Sequence, residues 1–158
     1  MWSDESKFEV ISTRNKFVRH PRGVSRYGKR YCNRTVKWPD SVMVWGAFSG
    51  NDGRAGLAFL KQGVTMNGPI YLDVLKKHLP TFMDLHDCDI FMQDGAPCHH
   101  SKLVTEWLQE QNYQVLKWPG NSPDLNPIKN CWKIIKDKVV RLGQNTSVAT
   151  LIKFIKLV

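Results

Sequence analysis

The second half of the chain alternates short apolar runs with helical patterns, and this alternation limits the fold more than any other feature. "CDIFMQD" holds an apolar run, Ile90 to Met92, and "SKLVTEWLQEQ" has the spacing of an amphipathic helix. "YQVLKW" then predicts a strand, and a second amphipathic helix begins at Pro127. Strand–helix–strand–helix order is typical of an α/β fold with a parallel portion in its sheet.

The first half predicts antiparallel strands. "VMVWGAFS" (Val42 to Ser49) is rich in strand-forming residues, and the turn "GNDG" leads to "GLAFL", which can pair with it as a hairpin. "KFEVI" and "KFVRH" read as earlier extended stretches. The fold class expected is therefore α/β, a mixed sheet flanked by helices. The length of 158 residues makes 1–158 a single domain by default.

Helix boundaries and buried faces follow from the same patterns. "GPIYLDVLKKHLP" predicts a helix that Pro80 stops, and "VATLIKFIKLV" predicts a last helix. The helix at 101–111 is expected to bury Leu103, Val104, Trp107 and Leu108. The helix from Pro127 is expected to bury Ile128, Trp132, Ile135, Val139 and Leu142. Core packing rather than base stacking is expected for Trp38, Trp45, Trp107, Trp118 and Trp132.

The charge balance favours an anionic partner. The chain has 23 Lys+Arg against 14 Asp+Glu, a formal net charge of +9. Such a surface suits nucleic acid, weak adhesion to anionic membranes, or solvation alone. No apolar run reaches the length of a membrane span, and "MWSDESKF" lacks the apolar core of a signal peptide. The four cysteines form no C-x-x-C pair, which is typical of reduced thiols inside cells.

Two carboxylates and one lysine form the candidate site. Asp94 falls where an apolar strand meets a loop, a usual place for ligand-binding groups, although an aspartate that only initiates a turn is common there too. Asp4, beside Glu5, lies in another extended segment, and two converging carboxylates could hold Mg²⁺. Cleavage of a phosphodiester by metal ions held in this way usually needs a further carboxylate. With Asn126 as N-cap and Pro127 first, the third helical position suits a carboxylate, but Lys129 stands there.

Several motifs in order resemble the catalytic domain of Tc/mariner-type transposases: "WSDESKF", "VMVWGAFS", "MQDGAPCHHSKLVTEWL" and "QVLKWPGNSPDLNPIKNCW". The resemblance covers nearly the whole chain. It implies a ribonuclease H-like fold and DNA cleavage and strand transfer with Mg²⁺ or Mn²⁺ through three acidic residues. By motif these map to Asp4, Asp94 and the position of Lys129. Thirty-four residues, 95 to 128, separate the last two, the spacing at which the Tc-like branch carries glutamate.

The lysine predicts impaired catalysis. Its ammonium group could pair with Asp4 or Asp94 and displace metal. Opposite unit charges roughly 4 Å apart in an intermediate dielectric attract each other by about 4 kcal/mol. Neighbouring carboxylates are poor substitutes, since Asp124 precedes the helix, Asp137 lies about two turns further on, and Glu5 would point away from Asp4. The two hypotheses are thus a transposase domain that acts in DNA transposition and integration, impaired by Lys129, and a non-enzymatic, domesticated or decayed remnant. The remnant would bind DNA or a related transposase.

The start of the chain also departs from the family. The resemblance implies that full-length relatives carry two helix-turn-helix modules before the catalytic domain. This sequence shows neither module. Only three residues precede Asp4, so the first strand is expected to be cut short. The resemblance further implies a nuclear location, DNA as partner, a homo-oligomer or a related transposase as a possible further partner, and no membrane association.

Basic residues in two regions are candidates for phosphate contacts. The set comprises Arg22, Arg26, Lys29, Arg30, Lys133 and Lys136. Arg19 and Arg34 lie in the same loop region as the first four. A zinc site at Cys98, His99 and His100 is disfavoured, because adjacent ligands without a C-x-x-C or H-x-x-x-H partner make a poor tetrahedral site.

Overall fold

The computed structural model describes residues 1–10, 19, 21–25, 27–28, 31, 37–119, 125–142 and 147–158. In chain order the elements are β1 (Trp2–Glu9), β2 (Ser41–Phe48), β3 (Ala55–Phe59), α1 (Gly68–Leu85), β4 (Ile90–Phe91), α2 (Lys102–Glu110), β5 (Gln114–Val115), α3 (Pro127–Arg141) and α4 (Val148–Leu157). The predicted "KFVRH" stretch lies largely outside the described residues.

The sheet is mixed, as predicted. β1, β2 and β3 pair antiparallel, with Asp4 opposite Gly46 and Val44 opposite Phe59. β4 and β5 pair parallel. A parallel bridge between Trp2 and Met92 joins the two parts, so the strands follow the order β3-β2-β1-β4-β5. β1 pairs with β2 through eight residues, and this places Asp4 inside a regular strand beside β4.

Helices cover both faces of the sheet. Trp45 of β2 packs with α1 and α2 in one core, which includes Leu75, Leu79 and Val104. Val44, the neighbouring residue of β2, packs on the opposite side with α3 and α4. Side chains alternate between faces along a strand, so one run of apolar residues serves two cores. The described part of the chain is thus an α/β/α sandwich.

Gly46 allows α3 to lie close to the sheet. A Cβ atom at this position would come within 2.6 Å of the indole ring of Trp132. Trp132 also packs edge-on against Phe8 of β1, with ring centroids 5.9 Å apart. The absence of a side chain at Gly46 therefore allows α3 to pack closely on β2, and the start of α3 lies beside β1.

α1 corrects one boundary prediction. Asn67 caps the helix, and its Oδ1 accepts from Ile70 N at 3.0 Å. The helix continues through Pro80 to Leu85 instead of stopping at the proline. Pro80 removes one helical hydrogen bond, but buried Leu79 and Met83 hold the helix on the core either side of it.

Some predicted buried residues are exposed. Leu103 and Leu142 are 52% and 48% exposed, because each lies at an end of its helix beyond the packed stripe. Trp38 is 83% exposed, so its assignment to the core was wrong. The strand expected in "YQVLKW" is limited to Gln114–Val115. The helix from Val148, the cap at Asn126 and the hairpin of β2 and β3 are confirmed.

A charged contact ties the β2–β3 turn to the end of α1. The His86 ring nitrogen Nδ1 lies 2.7 Å from Asp52 Oδ2, and Asn51 donates to the carbonyl oxygen of Asp87 at 2.6 Å. Partial desolvation raises the pKa of Asp52, but hydrogen bonds from the Arg54 backbone N–H and from His86 outweigh it and lower the pKa to about 2. Among the described residues no helix has the length and apolar character to cross a bilayer.

Candidate active site

β1 presents two neighbouring carboxylates to opposite faces of the sheet. Asp4 lies on the α3 face, where it contacts Lys129. Glu5 lies on the other face, where it contacts His99. The expectation that Glu5 points away from Asp4 is therefore confirmed, and it follows from the alternation of side chains along a strand.

Asp94 lies in the loop just after β4, next to β1 in the sheet. Its Oδ1 accepts a hydrogen bond from Ala96 N at 3.1 Å, a short turn that fixes the carboxyl group. The same oxygen lies 3.0 Å from Nδ1 of His99. The loop thus holds the carboxyl group of Asp94 near Asp4 of β1.

Lys129 lies between the two aspartates. Its Nζ is 3.3 Å from both carboxylate oxygens of Asp4 and 3.7 Å from Asp94 Oδ2. The helix start is built as predicted, with Asn126 Oδ1 accepting from Ile128 N at 3.4 Å. The predicted pairing of the ammonium group with Asp4 and Asp94 is confirmed. A cation held by the chain itself bridges the two carboxylates.

The sequence reasoning missed the role of His99. This side chain is 1% exposed, and its Nε2 lies 3.2 Å from both oxygens of Glu5 while Nδ1 faces Asp94. Its ring packs on Tyr71 with centroids 4.2 Å apart. The motif "CHH" suggests only a zinc site. The feature that points to the role of His99 is its position five residues after Asp94, which lets it reach that aspartate across a turn.

The charges of the site depend on one another. Burial raises the pKa of Asp4, and the nearby Lys129 ammonium offsets part of that rise. The hydrogen bond from His99 lowers the pKa of Asp94 to about 2, although burial opposes it. Burial alone would lower the pKa of His99, but hydrogen bonds to Asp94 and Glu5 outweigh it and raise the pKa to about 10. At neutral pH His99 is therefore protonated where it lies between Glu5 and Asp94.

As they stand, these residues do not fit a divalent metal ion. Mg²⁺ needs oxygen ligands at about 2.0–2.1 Å in octahedral geometry. Here the ammonium group of Lys129 fills the position between Asp4 and Asp94, and none of the described residues brings a third carboxylate to it. In the part of the chain that the structure describes, no group of three or more His, Cys, Asp or Glu side chains could hold a metal.

The predicted basic residues are only partly described. Arg22 and Lys133 are exposed, and Lys136 holds its ammonium group 5.3 Å from the ring centroid of Phe8. Lys133 follows Lys129 by one helical turn, so it extends a basic stripe from the candidate site along α3. Arg26, Lys29, Arg30, Arg34 and Asp124 lie outside the described residues.

The architecture defines the class of protein. The domain is ribonuclease H-like: its mixed sheet follows the order β3-β2-β1-β4-β5, helices cover both faces, and one aspartate on β1 lies near another in the loop after β4. More particularly, the chain belongs to the DDE superfamily endonuclease family, which it matches over residues 1–152.

The chain is similar to transposases of transposable elements from nematodes. It is 38% identical over 144 residues to the transposable element Tcb1 transposase of Caenorhabditis briggsae, covering 88% of this chain and 51% of that protein. It is 36% identical over 143 residues to the Tc1 transposase of Caenorhabditis elegans, with the same coverage of both chains. The chain thus spans about half the length of these relatives.

Solved structures share the fold. The Mos1 transposase paired-end complex with left transposon end superposes with a TM-score of 0.71 at 20% identity, covering 98% of this chain and 46% of that one. The catalytic domain of Mos1 mariner transposase superposes with a TM-score of 0.57 at 22% identity over 75% of this chain and 60% of that one. The ribonuclease H-like fold expected from the sequence is confirmed.

Proposed function

We propose that this chain acts in DNA transposition as a DNA-binding domain of the transposase catalytic fold whose strand cleavage is suppressed. The observation that carries the proposal is the position of the Lys129 ammonium group, 3.3 Å from Asp4 and 3.7 Å from Asp94. The family resemblance implies that carboxylates at these positions hold the metal for cleavage. In this chain the ammonium group of Lys129 lies between the two aspartates instead.

Charge supports the suppression of cleavage. Asp4 is nearly buried, with 6% of its side chain exposed, and the ammonium group of Lys129 lies 3.3 Å from it. A divalent ion would have to expel the ammonium group and also do without the third carboxylate. Structures of the Mos1 transposase catalytic domain have been solved with Mg and with Mn. Because this chain shares the Mos1 fold, we expect it to bind such a metal ion only if residue 129 became acidic.

Charge also supports DNA as the partner. The net charge of +9 suits a polyanion, and Lys133 stands exposed one turn from the site. The Mos1 structures include complexes with a transposon end. We accordingly place this chain on DNA through phosphate contacts rather than base readout, in the nucleus, alone, as a homo-oligomer or beside a related transposase.

A nicking assay tests the suppression of cleavage. The natural protein and Lys129→Glu are each incubated with supercoiled DNA and Mg²⁺, and nicked product is measured over time. We expect no nicking above background by the natural protein, and nicking by Lys129→Glu that a chelator abolishes. The reason is that the glutamate removes the ammonium group and restores the third carboxylate.

Two variants make the comparison specific. Lys61→Glu reverses the charge of an exposed lysine in the turn after β3, so it matches the change in net charge without altering the site. Asp4→Asn combined with Lys129→Glu should remove any restored cleavage. Metal-dependent nicking by the natural protein that Asp4→Asn abolishes would overturn the proposal of suppressed cleavage.

A further inference from the structure

β3 forms one edge of the described sheet and directs backbone donors and acceptors away from it. Just before this strand, Ser49 N donates to Arg54 O at 2.8 Å. Just after it, Leu60 N donates to Met43 O at 3.0 Å. Because antiparallel pairing alternates, the even-numbered residues of β3 bond to β2 and the odd-numbered residues point their N–H and C=O groups outward. The outward residues are Ala55, Leu57 and Phe59.

The composition of β3 does not protect this edge. Its five residues, "AGLAF", include no charge and no proline, which are the usual devices that keep a further strand from pairing. Within the described part of the chain, the outward backbone groups form no hydrogen bond. An extended segment can therefore add to the sheet here, which is a general mode of peptide binding.

A groove of about 250 Å³ runs beside this edge, between β3 and α1. Side chains that lie directly opposite each other on two strands share one face of the sheet. Every second side chain of a strand added to β3 would therefore face the groove, opposite Gly56 and Ala58. The lining residues that matter for its chemistry are Trp45, Gly56, Lys77, His78, Phe82 and Leu85.

The groove is apolar beside Gly56. A Cβ atom at this position would lie 2.9 Å from the ring of Phe82, so the aromatic ring covers the strand here. Leu85, one helical turn further along α1, is 68% exposed. A side chain opposite Gly56 would bury apolar surface against these two residues.

The groove is basic on the side of Ala58. This residue pairs with Trp45, whose ring stacks on His78 with centroids 6.2 Å apart. Burial and the charge of Lys77 lower the pKa of His78 from 6.5, so this ring is neutral near pH 7. Of the described residues that line the groove, Lys77 alone then carries a charge. A carboxylate opposite Ala58 would complement it.

We propose that the edge of β3 binds an extended segment of another protein, with an acidic residue opposite Ala58 and an apolar residue opposite Gly56. Antiparallel pairing is slightly more stable per residue than parallel pairing. In that direction the segment reads acidic, any residue, apolar from its N-terminus. The site lies on a different edge from the candidate active site and does not depend on the proposed DNA-binding function.

A second copy of this chain fits the groove less well. Paired antiparallel about Leu57, it would place its own Ala58 opposite Gly56 and its own Gly56 opposite Ala58. These residues bring at most a methyl group each to the groove, and they bring no negative charge to Lys77. The groove therefore favours a segment with larger and acidic side chains.

Fluorescence anisotropy with a labelled peptide tests the proposal. The probe is a short peptide of threonine and valine with Glu-Thr-Leu at its centre, titrated with the natural protein, and we expect saturable binding. A second peptide is N-methylated at the central threonine, which removes the N–H that would face Leu57. We expect it to bind about tenfold more weakly.

Two lysine variants test the charge of the groove. Lys77→Glu should weaken binding of the Glu-Thr-Leu peptide by about three- to fivefold and favour a peptide with Lys-Thr-Leu at its centre instead. Lys76→Glu makes the same change of charge at the neighbouring exposed residue, which does not line the groove. It should leave the preference for the acidic peptide unchanged.

Two variants of Leu57 test the backbone of the edge. Leu57→Pro removes the outward N–H, and proline is tolerated where the N–H of an edge strand faces solvent. Leu57→Ala removes the same side chain but keeps the N–H. We expect Leu57→Pro to abolish peptide binding and Leu57→Ala to retain it, with circular dichroism to check that both are folded. If Leu57→Pro does not fold, the N-methylated peptide decides the same question.

The outcomes are distinguishable. No binding of the Glu-Thr-Leu peptide, or binding that neither N-methylation nor Lys77→Glu weakens, would overturn the proposal. Self-association in sedimentation that Leu57→Pro abolishes, without peptide binding, would assign the edge to a second copy and overturn its assignment to a peptide. Each of these results leaves the DNA-binding proposal unchanged, because that proposal is tested with DNA alone.

Discussion

At the scale of single residues, residue 129 sets the charge of the site. Its backbone position at the start of α3 follows from Asn126 and Pro127, whichever side chain it carries. A glutamate there would add a third negative charge beside Asp4 and Asp94. The lysine instead provides a cation that belongs to the chain, and this cation contacts both aspartates without any ligand from solution.

Asp52 allows a test of a single charged contact outside the site. Its pKa is lowered to about 2 from the usual 3.8, so its ionised form stabilises the folded state above about pH 4. That contribution is lost as pH falls toward 2. The natural protein should therefore unfold with a higher free energy than Asp52→Asn at pH 6, and the difference should vanish near pH 2.

Urea denaturation at several pH values measures this difference. Asp73→Asn on the exposed side of α1 is the matched control, since Asp73 makes no contact with the β2–β3 turn. A difference between natural protein and Asp52→Asn that stays constant from pH 6 to pH 2 would show that the charge of Asp52 contributes nothing.

Residue roles were predictable where they depend on position along one element. Asp94 follows a strand and Lys129 begins a helix, so local patterns located both, and the resemblance to the transposase family added Asp4 to them. His99 was missed because its contacts with Glu5 join two segments 94 residues apart. A sequence pattern gives the spacing within an element, but not which distant side chain will face a buried imidazole.

At the scale of secondary structure, close packing of β2 and α3 positions the site. The pattern of apolar residues predicted both elements but could not show that Gly46 lies under Trp132. Similarly, it could not show that tertiary packing carries α1 past Pro80. Local propensity decides where elements form, and the fit between their surfaces decides how far they extend and how close they approach.

Gly46→Ala tests this packing. The added Cβ would lie 2.6 Å from the Trp132 ring, so α3 must shift away from the sheet. We expect a loss of about 1–3 kcal/mol in the free energy of unfolding, as is usual for overpacked cores. Chemical denaturation followed by tryptophan fluorescence measures it.

Gly50→Ala is the control for this variant. Its Cβ would meet Trp2 at an ordinary 3.6 Å, so its effect should be small. Equal stability of Gly46→Ala and the natural protein would mean that the close approach of α3 to β2 has no energetic role.

At the scale of the whole molecule, charge and fold serve different ends. Two cores on either side of one sheet hold the domain together, and the predicted fold class was correct because strand and helix patterns alternate so clearly. The surplus of basic residues is not needed for that packing. Composition alone left nucleic acid, anionic membranes and solvation open as explanations of this charge, and only the family resemblance favoured DNA.

Salt dependence of DNA binding tests the role of the basic surface. If Lys133 contacts a phosphate, Lys133→Ala should weaken binding to all duplex sequences similarly. It should also reduce the slope of log affinity against log salt by about 0.9. Anisotropy titrations at several salt concentrations measure the slope, and Lys61→Ala serves as a surface control. An unchanged slope in Lys133→Ala would remove α3 from the DNA-binding surface.

The most direct test of the account is a titration of the natural protein with Mn²⁺, with free ion measured by electron paramagnetic resonance. If the Lys129 ammonium group holds the position between Asp4 and Asp94, the natural protein will bind no Mn²⁺ at micromolar concentrations, whereas Lys129→Glu will. Micromolar binding of Mn²⁺ by the natural protein that Asp4→Asn abolishes would contradict it.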